Sequence, residues 1–208
     1  SALVQDIQTS YLLNELKDND VKDFVNDSMV QIKYMSKTLS DFRNFLKPST
    51  KKNLFSVSKA LNEINEIIGK QIFYSNIQMN FNYKNKNEEL LIYGYENEFK
   101  QVLLNIINNA KNKIVEKNLP LNKKGSIDIN IDKCINYNTI EIIDDAGEID
   151  EKIINSIFEP YFTTKEDGMG LGLYMAKIII EDKMRGIINV RNDENRVIFT
   201  IKLPHKKA

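Results

Sequence analysis

The feature that most constrains this chain is a glycine-rich loop that opens an apolar helix. Gly168, Gly170 and Gly172 stand at alternate positions, and an apolar run follows from Leu173 to Ile180. Alternate glycines leave the backbone without Cβ atoms, so its N–H groups can close around an anion. Unpaired amides and the positive end of the helix dipole favour phosphate at such a helix N-terminus. The loop is therefore either a phosphate cradle or a flexible turn, and the rest of the chain has to decide.

Three familiar nucleotide-binding motifs do not match this loop. A dinucleotide-binding fold needs a strand directly before the glycines, whereas here they follow an aromatic, Pro-containing stretch at 158–165. A P-loop needs Gly-Lys-Ser/Thr, and neither Lys nor Ser/Thr follows Gly172. A protein-kinase fold needs a His-Arg-Asp catalytic loop, but the only histidine is His205. A phosphate cradle here would belong to another class of protein.

Charge and cysteine content narrow the class further. Lys+Arg and Asp+Glu both number 29, so no net charge favours nucleic acid or an anionic membrane, and we expect no nucleic-acid partner. The single cysteine, Cys134, cannot form an internal disulfide and fits a reducing compartment. No signal peptide and no apolar run of about 18 residues is present. We expect a cytoplasmic module whose only membrane contact would be through segments upstream of Ser1.

The first 50 residues predict a helical hairpin. A helix over 2–17 lacks a start signal, so we expect it to be truncated, and a second helix spans 21–47. The second helix carries heptad seams at Val25, Ile32, Leu39 and Leu46 and at Ser28, Met35 and Phe42. Two helices cannot bury both seams, so we expect a four-helix bundle made by two chains, in preference to packing on the body of the same chain. The Pro48 region ends the helix, which predicts a dimerisation hairpin over 1–50 and a second domain over 51–208.

The second domain alternates helices and strands. Apolar periodicity predicts helices over 57–72, 96–117 and 150–157, and another after the glycine loop. Period-two alternation predicts strands over 77–83, 90–93, 126–132, 138–143, 187–191 and 196–203. We expect the strands at 126–132 and 138–143 to be antiparallel neighbours and the last two to form a hairpin.

Two groups of polar residues could bind a ligand. Asn105, Asn109 and Asn112 share one face of the helix over 96–117. They form either an ordinary wet face or a set of neutral oxygen ligands for Mg²⁺ and phosphates. Asp144 lies where a strand ends, and it is either a plain turn acid or the acceptor for an exocyclic amine such as that of adenine.

These signals occur in one order along the chain. The Asn-bearing helix, the strand ending in Asp-x-x-Gly, the Phe-x-Pro-x-Phe stretch and the glycine loop together resemble the ATP-binding domain of sensor histidine kinases, in the gyrase, histidine-kinase and MutL ATPase superfamily. Residues 105–110 are similar to the N-box of that family, 144–149 to its first glycine box, 158–165 to its F-box and 168–173 to its second glycine box. The heptad helix resembles the second helix of the family's dimerisation hairpin.

The resemblance implies an α+β fold. A two-helix hairpin, forming a four-helix bundle in a dimer, would precede an α/β sandwich with a mixed, mainly antiparallel sheet and helices on one face. It also implies ATP and Mg²⁺ as cofactors and phosphoryl transfer by positioning and charge neutralisation. The partners would be a second copy of the chain and a response-regulator receiver domain.

The resemblance also implies a role for each matching position. Asp144 would accept a hydrogen bond from adenine N6, and Gly147 would let the backbone approach the base. Asn109 would coordinate Mg²⁺, while Asn105, the predicted catalytic residue, and Asn112 would face the phosphates and water. The lid and the remaining nucleotide contacts would come from Phe158, Phe162, Lys165, Gly168, Gly170, Leu171, Gly172, Leu173 and Thr200.

The chain departs from the family pattern in three places, one of which is a lid with only two residues between Lys165 and Gly168, either short and well ordered or poorly closing. Ala146 and Glu148 replace glycines of the first glycine box, and Asp145 adds another acid, so we expect weakened nucleotide affinity. The predicted first helix lacks the phosphoacceptor histidine, so we expect a fragment cut just downstream of it that binds ATP and dimerises without autophosphorylation. In the intact protein, the γ-phosphate would pass to that histidine and then to a response-regulator aspartate. The alternative is a non-catalytic nucleotide-binding module, either a pseudokinase or a relative of the anti-sigma serine kinases.

Overall fold

The computed structural model describes residues 8–9, 11–13, 17, 19–30, 32–33, 48–84, 89–117, 120, 123–165 and 168–205. Its contacts divide the chain into two compact units, Ser1–Lys47 and Pro48–Ala208. Among the described residues, no helix combines the length and apolarity needed to cross a bilayer.

The described part of the first unit is helical. Residues 19–30 and 32–33 are helical, which agrees with the predicted second helix over 21–47 except that the helix already includes 19 and 20. Val25 and Ile32 are 50% and 54% exposed within a single chain. The heptad positions from Met35 to Leu46, and most of the first predicted helix, lie outside the described residues. The predicted hairpin therefore stays a prediction.

The second unit contains seven strands and three α-helices among its described residues. In chain order they are β1 Asn53–Ser56, α1 Val57–Tyr74, β2 Ile77–Tyr83, β3 Leu91–Gly94, α2 Glu96–Glu116, β4 Gly125–Lys133, β5 Tyr137–Asp144, α3 Gly172–Lys177, β6 Ile187–Asp193 and β7 Arg196–Pro204. A π-helical turn, Ile178–Lys183, continues α3. Every strand predicted from alternation is present. The short strand β1, which carries no alternation long enough to detect, was not predicted.

The main sheet is mixed and mostly antiparallel, as predicted. Its order is β2-β4-β5-β7-β6, with β2 parallel to β4 and every other pair antiparallel. A separate two-stranded sheet pairs β1 with β3. In β4, Ile127, Ile129 and Ile131 are buried while the residues between them are only partly covered. Because α2 packs on β4 and β5, and α1 packs on β2, the hydrophobic core lies between this sheet face and the helices.

The predicted helix over 150–157 is wrong. Residues 151–159 form a series of turns, in which Ile153 N–H donates to Asp150 O and Ser156 N–H donates to Ile153 O. The Asp150 side chain also accepts a hydrogen bond from Lys152 N–H at 2.9 Å. This side-chain contact is the bond of a helix N-cap, but the main-chain bonds that follow are mostly of the i to i+3 kind, so the segment continues as turns and not as a regular α-helix.

Helix α2 is capped by a residue far upstream in the sequence. Tyr95 occupies the N-cap position and makes no side-chain capping bond. Instead, Asn97 N–H donates to Ser49 Oγ at 3.1 Å, and Ser49 N–H donates to the Glu98 carboxylate at 3.2 Å. This reciprocal pair has the chemistry of a capping box, with its serine supplied by the segment before β1. The start of the second unit is thereby fastened to the helix that carries the asparagines.

Candidate nucleotide-binding site

A cavity of about 530 Å³ lies between α2, the loop after β5 and residues 162–165 and 168–173. Its walls include predicted site residues from three separate parts of the sequence. These are Asn109, Asp144, Gly147, Phe162, Lys165, Gly168, Gly170, Leu171, Gly172 and Leu173. The fold therefore brings together the asparagine helix, the strand-end acid and the glycine loop, as the resemblance implies.

Two asparagines of α2 contact Lys165 and Gly172, and we call the described residues here, Lys165 and 168–172, the lid. Asn105 Nδ2 donates to the Gly172 carbonyl at 3.2 Å, and the Lys165 ammonium donates to Asn109 Oδ1 at 3.1 Å. The two asparagines are four residues apart on one face of the helix. One contact needs a side-chain donor and the other a side-chain acceptor, and an amide supplies either.

The lid is shaped by a turn at its start and by a glycine near its end. Lys165 N–H donates to Thr163 Oγ1 at 3.0 Å, and Gly168 N–H donates to the Lys165 carbonyl at 3.2 Å. Gly170 has φ of 66°, and a Cβ there would collide with the backbone of Tyr161 and Phe162. Any other residue at 170 would therefore meet both an unfavourable dihedral and a steric clash.

Lys165 is a partly buried cation. Burial lowers the pKa of its ammonium; Glu116 opposes that effect, while Lys113 and Lys111 add to it. Its bond to the neutral Asn109 oxygen provides no compensating negative charge. The cation is thus held at the cavity wall in a position suited to an anionic ligand.

Asp144 also lines the cavity and is buried, with 4% of its surface exposed. Burial raises its pKa from 3.8 to about 6; the Ala146 hydrogen bond lowers it, the Asp145 charge raises it and Lys117 lowers it. Ala146 N–H donates to Oδ1 at 3.1 Å. A buried carboxylate that lines a cavity is suited to accept a hydrogen bond from a ligand N–H group.

The two additional acids of the altered glycine box have their carboxylates engaged by main-chain groups. Ser126 N–H donates to Asp145 Oδ1 at 2.9 Å, and Lys117 Nζ donates to the Asp145 carbonyl at 3.2 Å. Asn195 N–H donates to Glu148 Oε1 at 3.3 Å. Asp145 does not line the cavity. It ties the loop after β5 to the neighbouring strand.

The loop after β5 is also held by Asn192, which was not singled out from the sequence. Asn192 accepts from Ile149 N–H at 3.0 Å and donates to the Ile149 carbonyl at 2.8 Å. Gly147 lies within this loop and has φ of 97°, a conformation that side-chain-bearing residues rarely adopt. The loop position therefore depends on one glycine dihedral and on a bidentate contact from β6.

Phe158 lies behind the wall of the cavity. Its ring meets the ring of Phe199 edge to face with centroids 6.3 Å apart, and Lys177 Nζ lies 5.8 Å from its centroid. Phe199 itself lines the cavity, as does Phe162. Phe158 therefore supports the wall, and Phe162 forms part of it.

Three other predicted residues are also absent from the cavity lining. Asn105 bonds to the lid but does not line the cavity, and neither does Asn112. Thr200 is paired with Glu141 on β5, so its side chain projects from the sheet face opposite to that of Asp144. The strand position opposite Asp144 is Val197, which does line the cavity.

The sequence reading missed two lysines near the cavity. Lys113 and Lys117 continue the four-residue spacing of Asn105 and Asn109 along α2; Lys113 lines the cavity, and Lys117 contacts the loop after β5. Extending the asparagine stripe by two helical steps would have found both. Val197 and Asn192 had no comparable signal, because strand pairing brings them to the site.

The oxygen ligands in the cavity are suited to one magnesium ion that is bound mainly by the phosphates of a nucleotide. Among the described residues, no group of three His, Cys, Asp or Glu side chains could form a metal site. Asn109 Oδ1 faces the cavity and already accepts a hydrogen bond from a cation, Lys165. Mg²⁺ prefers oxygen ligands and keeps several waters, so one amide oxygen plus phosphate oxygens is a suitable set.

Comparison with known proteins identifies the class. Residues 94–207 match the family described as "Histidine kinase-, DNA gyrase B-, and HSP90-like ATPase". The chain belongs to this family, and the resemblance stated from its motifs is confirmed: it is a histidine-kinase type of ATP-binding catalytic core.

Individual relatives are named kinases. The chain is 30% identical over 171 residues to Sporulation kinase A of Bacillus subtilis (strain 168), covering 81% of this chain and 27% of that protein. It matches the solved catalytic domain of histidine kinase ThkA with a TM-score of 0.63 and 29% identity, covering 74% of this chain and 96% of that one. It also shares its fold with histidine kinase ThkA solved in complex with the response regulator TrrA, with a TM-score of 0.61, 23% identity, and coverage of 97% and 57%. The chain thus spans about a quarter of the curated relative named here.

Proposed function

We propose that this chain is the ATP-binding core of a two-component sensor histidine kinase. In the intact protein, the γ-phosphate of ATP passes to a histidine outside this chain and then to an aspartate of a response regulator. The observation that carries the proposal is the single cavity shared by Asp144, Asn109, Lys165 and the glycine loop 168–172. These groups are suited to bind the adenine base, the Mg²⁺ ion and the phosphates of one nucleotide.

The residues around the cavity would divide the nucleotide between them. Asp144 accepts a hydrogen bond from the exocyclic amine of adenine, and Gly147 leaves the backbone next to the base without a side chain. The glycine loop presents its amides to the phosphates at the start of α3. Lys165 contributes a positive charge at the same end.

Asn109 holds Mg²⁺ in this proposal. The metal would neutralise the phosphate charge that develops during transfer. Asn105 keeps the end of the lid on α2 through the Gly172 carbonyl, which is a positioning role. The chain's own residues therefore bind and orient the nucleotide and exclude water from its phosphates.

The helical unit supports a homodimer through the N-terminal helices. Val25, Met29 and Ile32 are each about half exposed within one chain, although they are large apolar side chains. Burying them against a second copy would contribute about 1 kcal/mol each at 25 cal/mol per Å². We accordingly assign dimerisation to the first unit, Ser1–Lys47, and ATP binding to the second, Pro48–Ala208. The predicted boundary between 50 and 51 moves to 47/48 because Ser49 caps α2.

A response-regulator receiver domain is the proposed downstream partner. The support is the relative ThkA, whose structure is described as a complex with the response regulator TrrA. We place the chain in the cytoplasm, the compartment in which ATP and receiver domains meet.

Isothermal titration with ATP and ADP, each with and without Mg²⁺, tests the binding step. We expect micromolar affinity that rises with Mg²⁺. The Asp144→Asn variant should bind neither nucleotide while keeping the oligomeric state of the wild-type chain. Unchanged affinity in that variant would remove Asp144 from the site, and absence of binding by the wild-type chain would contradict the proposal.

Phosphate transfer is tested with the longer parent protein and radiolabelled ATP. A base-stable, acid-labile phosphohistidine is the expected product. ATP binding without any phosphohistidine would instead identify the alternative, a non-catalytic nucleotide-binding module.

A further inference from the structure

The contact between Lys165 and Asn109 has the chemistry of a metal bridge. The ammonium lies 3.1 Å from Asn109 Oδ1, the amide oxygen proposed above as a ligand of Mg²⁺. An ammonium has three donors, so it can hold that oxygen and a phosphate oxygen at the same time. A divalent ion bound to the same asparagine would make the same two connections.

The position of this cation is set by the lid itself. The Thr163 turn directs the Lys165 main chain, and Gly168 N–H closes the turn on the Lys165 carbonyl. Asn105 holds the far end of the lid at Gly172. The lid is therefore fixed on α2 at both ends, and the Lys165 end is fixed by a cation bound to a neutral oxygen.

Lys165 and a divalent ion compete for that oxygen. Mg²⁺ binds its ligands at about 2.0–2.1 Å, so an ammonium on the same amide oxygen would lie next to a divalent positive charge and be repelled by it. The Lys165 side chain must then leave Asn109 and can bind only phosphate.

We propose that Lys165 acts as a surrogate cation, which bridges Asn109 to the nucleotide phosphates when no divalent ion is bound. This inference rests on the proposed nucleotide-binding function. It predicts that the chain keeps substantial affinity for nucleotide without Mg²⁺ and that Lys165 is the cause. It also predicts that the lid is held on α2 before nucleotide arrives.

The experiment compares two cavity lysines by titration of the full chain with ADP, in excess Mg²⁺ and in a chelator. Lys165→Met removes the cation and keeps most of the apolar stem. Lys113→Met is the matched control, because Lys113 also lines the cavity but its ammonium bonds to Glu116 at 2.7 Å instead of Asn109. We expect Lys165→Met to raise the Mg²⁺-free Kd about tenfold or more, the value of a charge-assisted hydrogen bond. The Mg²⁺-bound Kd should rise by a clearly smaller factor, because the metal then makes the bridge and only the phosphate contact of Lys165 is lost.

A second measurement requires no nucleotide. Amide hydrogen exchange of the lid segment 168–172 should be faster in Lys165→Met than in the wild-type chain and unchanged in Lys113→Met.

The outcomes separate the surrogate role from the proposed function. If the wild-type chain binds ADP and Lys165→Met weakens binding equally with and without Mg²⁺, Lys165 does not replace the metal and the inference is overturned, while the nucleotide site stands. An identical pattern in Lys113→Met, or unchanged lid exchange in Lys165→Met, would overturn it as well. Failure of the wild-type chain to bind ADP in either condition would instead remove the proposed function.

Discussion

Replacing Asp144 by Asn should stabilise the fold while it destroys the nucleotide site. Asp144 is 4% exposed, and burial raises its pKa from 3.8 to about 6. Asn keeps an oxygen that can accept the Ala146 N–H bond, but it carries no charge. The substitution thus removes the cost of burying an ionised carboxylate and turns the oxygen that faces the ligand into an N–H donor.

The magnitude follows from the pKa difference. Between about pH 4 and pH 6, folded Asp144 holds a proton that the unfolded chain has already lost, so the free energy of unfolding falls as pH rises through this window. Above about pH 6 the free energy of unfolding has fallen by its full amount and no longer changes with the ionisation of Asp144. A difference of about two pKa units corresponds to about 3 kcal/mol, since one unit is worth about 1.36 kcal/mol. The Asn variant does not undergo this loss.

Urea denaturation at several pH values between 4 and 7.5 measures the effect. The stability of Asp144→Asn relative to wild type should increase by up to about 3 kcal/mol from pH 4 to pH 7. The control is Ile143→Val on the same strand, which contains no ionisable group and should differ from wild type by a constant amount. A difference between Asp144→Asn and wild type that does not change with pH would refute the buried-carboxylate argument.

The affinity for nucleotide should depend on pH in the opposite direction to the stability of the fold. The ionised carboxylate accepts the adenine amine, so ADP affinity of the wild-type chain should fall about tenfold for each pH unit below about 6, where Asp144 takes up a proton. The Asn variant should bind no ADP at any of these pH values. Wild-type affinity that stays constant from pH 5 to pH 7 would exclude Asp144 as the acceptor.

Three further substitutions test the lid, the cap of α2 and the dimer. Gly170→Ala, at φ of 66° and against the backbone of Tyr161, should cost more than the roughly 1–2 kcal/mol of the dihedral alone in thermal unfolding and should weaken ADP binding; an unchanged melting temperature would contradict this. Ser49→Ala should cost about 1 kcal/mol by removing the distant cap of α2, whereas Thr50→Ala next to it should cost almost nothing; equal effects would show that the cap contributes nothing. Ile32→Glu should convert the dimer to monomers in sedimentation velocity, and a variant that still sediments as a dimer would refute the bundle.

The regular elements of the second unit were predictable because their signals are local. Strict alternation from Ile77 to Tyr83 is a property of that stretch alone, and β2 has those bounds. The helix predicted over 96–117 is present as α2 for the same reason. The turns at 151–159 were mispredicted as a helix because apolar periodicity does not distinguish successive i to i+3 turns from an α-helix.

The candidate site was only partly predictable. The order of the motifs predicted that Asn109, Asp144 and the glycine loop share one site, because those residues match family boxes. All of them line the same cavity. Thr200 was assigned from its place in the chain, and strand register puts it on the other face of the sheet. A shift of an odd number of residues along a strand reverses the face, so only the pairing could show that Val197 faces Asp144.

The sequence by itself determined the class of protein, the element order and the presence of a phosphate-binding loop at a helix start. These depend on residue type, spacing and conformational preference, which are local properties of the chain. Only the tertiary structure decided that Lys165 lies on Asn109, that Ser49 caps α2 and that the carboxylates of the extra acids bond to main-chain amides. Each of these contacts joins residues 19 to 56 positions apart. Their distances depend on how the whole sheet and its helices pack, and no local pattern encodes that.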